Sequence, residues 1–483
     1  MTVPRLSGLL LAVLLPLAVF AQQRGELVSV TPLPLLNTAA IQNYYAAYGI
    51  PTALIPIQYE VQPYRVVYRT PAGTGDSLTV ASGLVLVPQY VCDLPIYNYN
   101  HGTIFYGEEP SLLRSDWIVG LIAATSGYLG VLPDYLGFGA TPAAHPHLYI
   151  HANTSASAVV DMLRASRLLC AQEDIALNGQ VFLAGYSQGG FVTMAAAREI
   201  ETNHSDEFDL TAVLPASGPY DVSGVTFQHM LAEKPTSSFY LGFVLMSYQY
   251  LYGLWSDPSE VFVPPYDVVV PAFFDRSNPQ PASLPDTAVR MLRPDLVAAV
   301  LSDSLHPFRQ FLRLNDVYDW APASLMRMYY CEADEQVPYQ NALIAYDQFV
   351  ANGSNSTIAL SGGANLDHGG CATPVLLFGK LWFDGLRAAC DTTVNDTTTL
   401  ALGGHLTLAV QAYPNPFRDR LDLRGLDQPA DLSLIDAAGR RIWQGTATPG
   451  TATIGLPAAL PAGLYTLRVV GRQGTALLRL RRE

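Results

Sequence analysis

The alternation of apolar and polar positions along the chain, and the places where it breaks, divide it into three regimes. YRVVYRT from Tyr64 and SLTVASGLVLVP from Ser77 are rich in β-branched residues and predict early strands. PIYNYNHGT predicts a third strand ending at His101-Gly102-Thr103, and GYLGVLPDY another ending near Asp134. ANTSASAVVDMLRASRLLC is helical in pattern, with Asn153 available as a cap and Ala158, Met162 and Ala165 on one face. QVFLAGYS, a helix from Gly190 and the apolar strand LTAVLPASG follow; LMRMYYCEAD and STIALSGGAN come much later. Strands alternating with helices predict an α/β fold, a mostly parallel sheet covered on both faces, with ligands taken at the carboxyl ends of the strands.

The rhythm stops between Gly218 and about Ala321. The intervening residues, about 219–321, are rich in Tyr, Phe, Trp, Pro and Leu and read as a cap inserted over the active edge of the sheet. The plainer reading is a run of helices extending the core. After Cys390 the Thr-rich stretch DTTVNDTTTLALGGH reads as a linker over 391–405. Residues 406–483 then show short alternating strands and many arginines, predicting a small all-β sandwich. At the other end, Arg5 followed by the apolar run Leu9–Phe20, with Val19 and Ala21 at cleavage-site positions, predicts a signal peptide over 1–21; the alternative is an N-terminal anchor. The main α/β unit is then 22–390.

Composition narrows the function. The chain has 483 residues, 49% hydrophobic and 14% charged, enough for a large core. Its net charge of −14 argues against nucleic acid as a partner, because phosphate binding needs a basic face. Five cysteines in an exported chain suggest two bridges and one remaining thiol.

The stretch VFLAGYSQGGFVTMAAA carries the strongest chemical signal. Ser187 lies between Gly185 and Gly189, after a buried strand and before a helix. A hydroxyl attacks a carbonyl only when a base takes its proton and the side chain is held clear of the backbone. A very tight strand-to-helix turn holds it so, and glycines two residues before and after relieve the crowding. The turn therefore predicts Ser187 as nucleophile, with the helix N-terminus favouring an anion nearby. The plain alternative is a turn serine.

A nucleophilic serine needs a histidine and an orienting carboxylate. His368, in the Gly-rich loop GGANLDHGG after the last apolar strand, is the expected base. Asp334 in MYYCEADEQVP is the expected acid, since a short turn and Val337-Pro338 would fix its loop; Glu332 and Glu335 are fallbacks, and Asp367 ranks lower because adjacent residues seldom face each other. The oxyanion hole is expected from the backbone N–H groups of Gln188 and Thr103, with Gly102 turning the chain tightly and His101 structural. Phe239, Tyr240, Phe243, Tyr248 and Trp255 are expected around an apolar substrate pocket, although some of the cap's aromatic residues must pack its own core. His145, His147 and His151 in HPHLYIH have spacing that could ligate zinc, but no acidic or thiol ligand is close; no metal and no cofactor is expected.

HGT, LPDYLGFG, HPHL, GYSQGG and DEQVP, at His101–Thr103, Leu132–Gly139, His145–Leu148, Gly185–Gly190 and Asp334–Pro338, resemble the secreted lipase and esterase branch of the α/β-hydrolase superfamily over roughly residues 50–390. Cys331 departs from the glycine usual in that branch. The resemblance implies hydrolysis of carboxylic esters, small-molecule or lipid, by Ser187, Asp334 and His368. The readings beside it are a serine peptidase of the same fold and a non-catalytic surface binding protein on a hydrolase scaffold. The tail, with YPNPF at Tyr413–Phe417, LPAGLYTLRVV at Leu460–Val470 and the basic ending RLRRE, resembles the type A C-terminal sorting domain of the type IX secretion system; the alternative is a small sandwich that binds carbohydrate or another enzyme module. That implies export through the periplasm to the outer surface or the medium, with the secretion machinery as partner and no transmembrane segment in the mature chain. The sheet order of the superfamily implies two disulfide candidates: Cys92–Cys170 at the edge away from the active site, and Cys331–Cys371 joining the acid and base loops, with Cys390 left over.

Overall fold

A computed structural model describes residues 23–388 and 410–482, apart from 76, 90–91, 105–113, 232–236, 276–282, 427, 437–440, 458–459 and 472–473. The expected signal peptide, the linker and Cys390 lie outside the described residues.

The first part of the chain is a nine-stranded sheet. Its strands are β1 (Leu27–Pro32), β2 (Val61–Pro71), β3 (Leu78–Pro88), β4 (Leu94–Asn100), β5 (Leu129–Pro133), β6 (Leu177–Tyr186), β7 (Asp209–Ala216), β8 (Leu325–Cys331) and β9 (Thr357–Gly363), in the spatial order β1-β2-β3-β5-β4-β6-β7-β8-β9. β1, β2, β3 and β5 pair antiparallel, and from β5 through β4, β6, β7 and β8 to β9 every pair is parallel. The continuous apolar runs follow from this: a parallel strand is buried on both faces. On β6, Val181 and Leu183 join one core cluster while Phe182 and Ala184 join the other, the period of two expected of a strand.

The helices that cover the two faces carry matching stripes. α3 (Ala152–Gln172) and α4 (Gln188–Asn203) place Val159, Met162, Leu163, Phe191 and Val192 in the first cluster. α2 (Arg114–Thr125) and α11 (His368–Leu386) place Trp117, Leu121, Val375 and Phe383 in the second. Short α1 (Thr38–Ala47), capped by the Asn37 side chain, adds Ile41 and Tyr45 to the second cluster. α10 (Gln340–Ala351) connects β8 to β9.

Between β7 and β8 the chain leaves the sheet for α5 (Phe227–Leu231), α6 (Ser237–Tyr252), α7 (Tyr266–Phe274), α8 (Pro294–Ser302) and α9 (Pro307–Leu314). Asp316 ties the end of this excursion to its beginning: its carboxylate accepts from Ser223 N at 2.8 Å and Ser223 Oγ at 2.7 Å. Burial pushes the Asp316 carboxyl up to about 6, against those hydrogen bonds and with help from the nearby Asp221 charge. A carboxyl that holds its proton more tightly when folded weakens the fold as pH rises from the unfolded value, near 4, through 6. Asp316→Asn is therefore expected to raise stability by about 1–2 kcal/mol at pH 8 and to have no effect near pH 4. Denaturant midpoints at the two pH values check this; equal shifts at both would remove the desolvated charge as the cause.

The C-terminal part is all-β. A three-stranded antiparallel sheet, β10 (Gln411–Tyr413), β11 (Arg420–Leu426) and β14 (Gly450–Gly455), and a four-stranded one, in the order β13 (Arg441–Ala447), β12 (Ala430–Asp436), β15 (Gly463–Gly471) and β16 (Gly474–Arg482), share one core. Leu421 and Leu423 come from the first sheet and Leu432, Leu434, Leu467 and Val469 from the second. The YPNPF stretch is stitched to the last strand: Arg481 N donates to Asn415 Oδ1 and Phe417 N to Arg481 O, both at 2.8 Å. No helix among the described residues is long and apolar enough to cross a membrane.

Candidate active site

Ser187 sits where β6 turns into α4, at φ 60° and ψ −124°, a conformation costing a non-glycine residue on the order of 1–3 kcal/mol. Ser187 N donates to Ala216 O at 3.0 Å, which fixes the turn against β7. The flanking glycines are required by close approach. A Cβ on Gly185 would lie 2.2 Å from the carbonyl oxygen of Gly189, and one on Gly189 would lie 2.0 Å from that of Asn100 on β4. Gly190, the last residue of GYSQGG, meets the same limit against Ala216 O at 2.4 Å.

Two loops bring partners to the Ser187 hydroxyl. His368 opens α11, and its Nε2 lies 2.9 Å from Ser187 Oγ. Its Nδ1 lies 2.7 Å from Asp334 Oδ2, and the Asp334 side chain is 1% exposed. The other Asp334 oxygen accepts from the backbone N–H groups of Gln336 at 3.0 Å and Val337 at 2.8 Å, so the DEQVP turn holds the carboxylate. Tyr186 adds a hydrogen bond from its hydroxyl to the backbone oxygen of His368 at 2.5 Å. With Asp334 accepting from Nδ1–H, the lone pair of Nε2 faces Ser187, the tautomer that can take the hydroxyl proton. The other acids point elsewhere: Glu335 accepts from His368 N at 3.0 Å, Asp367 caps α11 through Gly370 N at 2.7 Å, and Glu332 accepts from Ser361 Oγ at 2.8 Å.

The loop after β4 lies against the serine. A Cβ on Gly102 would sit 3.9 Å from the Cβ of Ser187 and 3.6 Å from Tyr186 O. These are ordinary contacts, and the φ of Gly102 is not in the left-handed region, so neither crowding nor backbone conformation requires glycine there. Gln188 is the first residue of α4, a position whose backbone N–H has no acceptor within its own helix. His101 is held inside: Nδ1 is 2.7 Å from Gly102 O, Nε2 is 3.3 Å from Asp134 O, and the ring stacks on Tyr135 at 4.0 Å. Burial pulls His101 down to about 4 despite those two carbonyl partners, so it stays neutral at ordinary pH.

The HPHLYIH histidines do not converge. His145 Nε2 is 2.7 Å from Ala72 O, and His151 Nδ1 is 2.9 Å from Thr154 Oγ1. His147 places Nδ1 2.9 Å from Leu136 O and Nε2 2.8 Å from the Gln188 amide nitrogen. No group of three or more metal-ligating side chains occurs among the described residues.

Cys331 and Cys371 form a disulfide, joining the end of β8 to the first turn of α11, with Cα atoms 6.1 Å apart and both residues fully buried. The bond ties the element that leads to Asp334 to the helix that begins at His368. Replacing both cysteines by alanine is expected to lower stability by about 3–4 kcal/mol, on a chain-entropy account for a loop of 40 residues, and to lower kcat as the two loops loosen. Thermal melts and steady-state rates of the double variant check both parts. The Cys92–Cys170 pairing is not formed. Cys170 is a buried free thiol, while Cys92 is already disulfide-bonded, and a sulfur makes one such bond. Asp93 and Cys170 do line one cavity, so the two regions are neighbours although their sulfurs are not paired. Burial pushes the Cys170 thiol up to about 12, leaving it an inert core residue.

Two cavities meet the excursion between β7 and β8. One, of about 40 Å³, is lined by Ser187, Gln188, Tyr149, Met230, Tyr240 and Val244, among others. The second, of about 450 Å³, lies beside the same helices, with Leu241, Leu245, Phe227 and Leu231 in its wall. Its lining is aliphatic and aromatic apart from Glu260, His306 and the backbone. Of the five aromatic residues expected around a pocket, Tyr240 lines the first cavity and Trp255 the second. Phe239, Phe243 and Tyr248 line neither. Phe239 and Phe243 pack on Phe274 at 5.6 and 4.5 Å, and Tyr248 is fully buried with its hydroxyl on Ile150 O. Tyr149 faces the serine cavity unforeseen, since nothing local in HPHLYIH marks it.

A family model described as the alpha/beta hydrolase family matches residues 101–368, the span from the loop after β4 to the first residue of α11. No curated protein sequence matches the chain. Among solved structures, a putative hydrolase from Legionella pneumophila is 29% identical with a TM-score of 0.68, covering 74% of this chain and 98% of that one. The rice cell wall degrading esterase LipA from Xanthomonas oryzae is 26% identical with a TM-score of 0.66, covering 75% and 100%. Lipase A from Candida antarctica, in its closed state, is 17% identical with a TM-score of 0.56 over 77% and 85%, a likeness of fold alone. Sheet order, the serine turn and a family match over more than half of the sequence agree, and the chain belongs to the alpha/beta hydrolase family.

Proposed function

We propose that the protein is a serine carboxylic ester hydrolase acting through an acyl-enzyme on Ser187. The observation that carries this reading is the line of contacts Ser187 Oγ, His368 and Asp334, at 2.9 and 2.7 Å, in which a carboxylate that can only accept faces Nδ1 and so favours a free lone pair on Nε2. His368 takes the serine proton as Oγ attacks the ester carbonyl and then gives it to the departing alcohol. Asp334 holds the imidazole and stabilises its charge. The N–H groups of Thr103 and Gln188 receive the oxyanion. Water, deprotonated by the same histidine, then releases the acid. The likeness to an esterase in the Xanthomonas structure supports an ester over a peptide substrate. The serine cavity, lined by Tyr149, Ile150, Met230, Tyr240, Val244 and Val337 around Ser187, supports esters with an apolar acyl or alcohol part.

For the C-terminal sandwich we propose the role its resemblance implies, an address for type IX secretion, with the mature enzyme released or held at the outer surface. Support comes from YPNPF and the basic C-terminal strand forming one hydrogen-bonded unit.

Hydrolysis of p-nitrophenyl esters from acetate to palmitate by the full chain tests the activity. Turnover with an optimum along the series is expected. No turnover on any ester, with cleavage of peptide amides instead, would overturn the reading.

A further inference from the structure

Thr103 is the residue whose backbone N–H the proposed mechanism places in the oxyanion hole, and its side chain has a partner far away in sequence. Thr103 Oγ1 lies 2.9 Å from the hydroxyl of Tyr149. Tyr149 belongs to the loop before α3, is 5% exposed, and lines the serine cavity together with Ser187 and Gln188. Its ring is seated by the cap helix: Phe243 stacks on it at 4.9 Å and Tyr240 lies parallel to it at 6.5 Å. Tyr240 in turn donates to Gln336 Oε1 at 2.5 Å, and Gln336 N is one of the two donors on Asp334. One face of α6 thus reaches the oxyanion loop through Tyr149 and the acid loop through Tyr240 and Gln336.

We propose that Tyr149 is a positioning residue of this site: its hydroxyl, held in place by the stacked rings of α6, fixes Thr103 so that the Thr103 N–H is aimed at the developing oxyanion. The inference rests on the reading of Ser187 as nucleophile and Thr103 as oxyanion donor. A donor contributes to rate only when it already points at the place where charge appears, so a loop free to rotate loses part of that contribution in the transition state and little of it in the ground state. The hydroxyl contact is neutral, and burial pushes the Tyr149 phenol above its usual range, so it stays protonated throughout the working pH.

Tyr149→Phe and Thr103→Val each remove the contact from one side and leave the Thr103 N–H in the chain. In the full chain, each is expected to lower kcat on a p-nitrophenyl ester about 3- to 10-fold, the size of one neutral hydrogen bond, with KM within about twofold of wild type. The inhibition constant of an alkyl trifluoromethyl ketone, whose adduct puts an oxyanion in the same place, is expected to rise by the same factor. The double variant is expected to be no slower than the slower single, because both delete one interaction. A purely structural contact would lower the melting temperature and leave kcat and the ketone inhibition unchanged; that result, or losses that multiply in the double variant, would overturn the proposal. Should Tyr149→Phe fold poorly, Thr103→Val read by rate and inhibition decides alone. A silent wild type, or a Ser187→Ala variant that still turns over, would instead overturn the ester-hydrolase reading on which the proposal rests.

Discussion

Replacing Ser187 by alanine is expected to lower kcat on a p-nitrophenyl ester by about five to six orders of magnitude, with KM little changed and the fold intact. The size follows from what the oxygen does. In the proposed mechanism it is the attacking atom as well as the partner of His368 Nε2 at 2.9 Å, so its removal would end covalent catalysis while the proposed oxyanion donors and the cavity remain. Those remaining parts still stabilise a transition state in which water attacks, so the rate settles above that of the uncatalysed reaction. The fold is expected to survive because the turn is held by the backbone, through Ser187 N on Ala216 O and through glycines at 185 and 189. Alanine has the same Cβ as serine at φ 60° and so carries no new strain. Steady-state rates, a thermal melt and mass-spectrometric detection of an acyl adduct on the peptide containing position 187 check all three parts. A variant within tenfold of wild type would exclude Ser187 as nucleophile.

The sheet and the turn around Ser187 were legible because both rest on local rules. A strand buried on two faces is mostly apolar, as VFLAGY is; in PIYNYN the buried Asn98 and Asn100 are tolerated because their amides donate to Val131 O and Thr193 Oγ1. A strand-to-helix reversal in which a Cβ would meet a carbonyl at about 2 Å must have glycine there. Asp334 was legible for a similar reason, since the turn that follows supplies two N–H donors to its carboxylate. The pocket was less legible. SSFYLGFVLMSYQYLY of α6 is apolar on nearly every side, so its pattern does not reveal that Tyr240 and Val244 face the serine while Leu241 and Leu245 face the second cavity. Tyr149 was hidden because its contact with Thr103 spans 46 residues and depends on where two loops land. The cysteines show the limit most directly. Sheet order places Asp93, beside Cys92, close to Cys170, yet which sulfurs join is decided by distances that sequence spacing does not carry.

Asp334→Asn is expected to lower kcat by about four orders of magnitude, while Glu335→Gln, one residue on, lowers it no more than about fivefold. The contrast separates two carboxylates that both touch His368. Asp334 Oδ2 meets Nδ1 at 2.7 Å while Oδ1 accepts from the N–H groups of Gln336 and Val337. An asparagine keeps its oxygen on those two donors, which turns its NH₂ toward Nδ1. The imidazole must then accept at Nδ1 and carry its proton on Nε2, facing Ser187 with a donor where a base is required. Glu335 instead accepts from the backbone N–H of His368 at 3.0 Å, a contact that a glutamine oxygen can keep, so the tautomer is untouched. Both variants keep the size and shape of the side chain they replace; Glu335→Gln gives up only the acceptor of Gln336 Nε2 at 3.0 Å, within the fivefold allowed, so the comparison is about proton placement more than about packing. Steady-state kcat on the same ester, read beside melting temperatures, checks the ranking. A Glu335→Gln loss equal to or above that of Asp334→Asn would move the orienting role to Glu335 and leave Asp334 as a loop anchor.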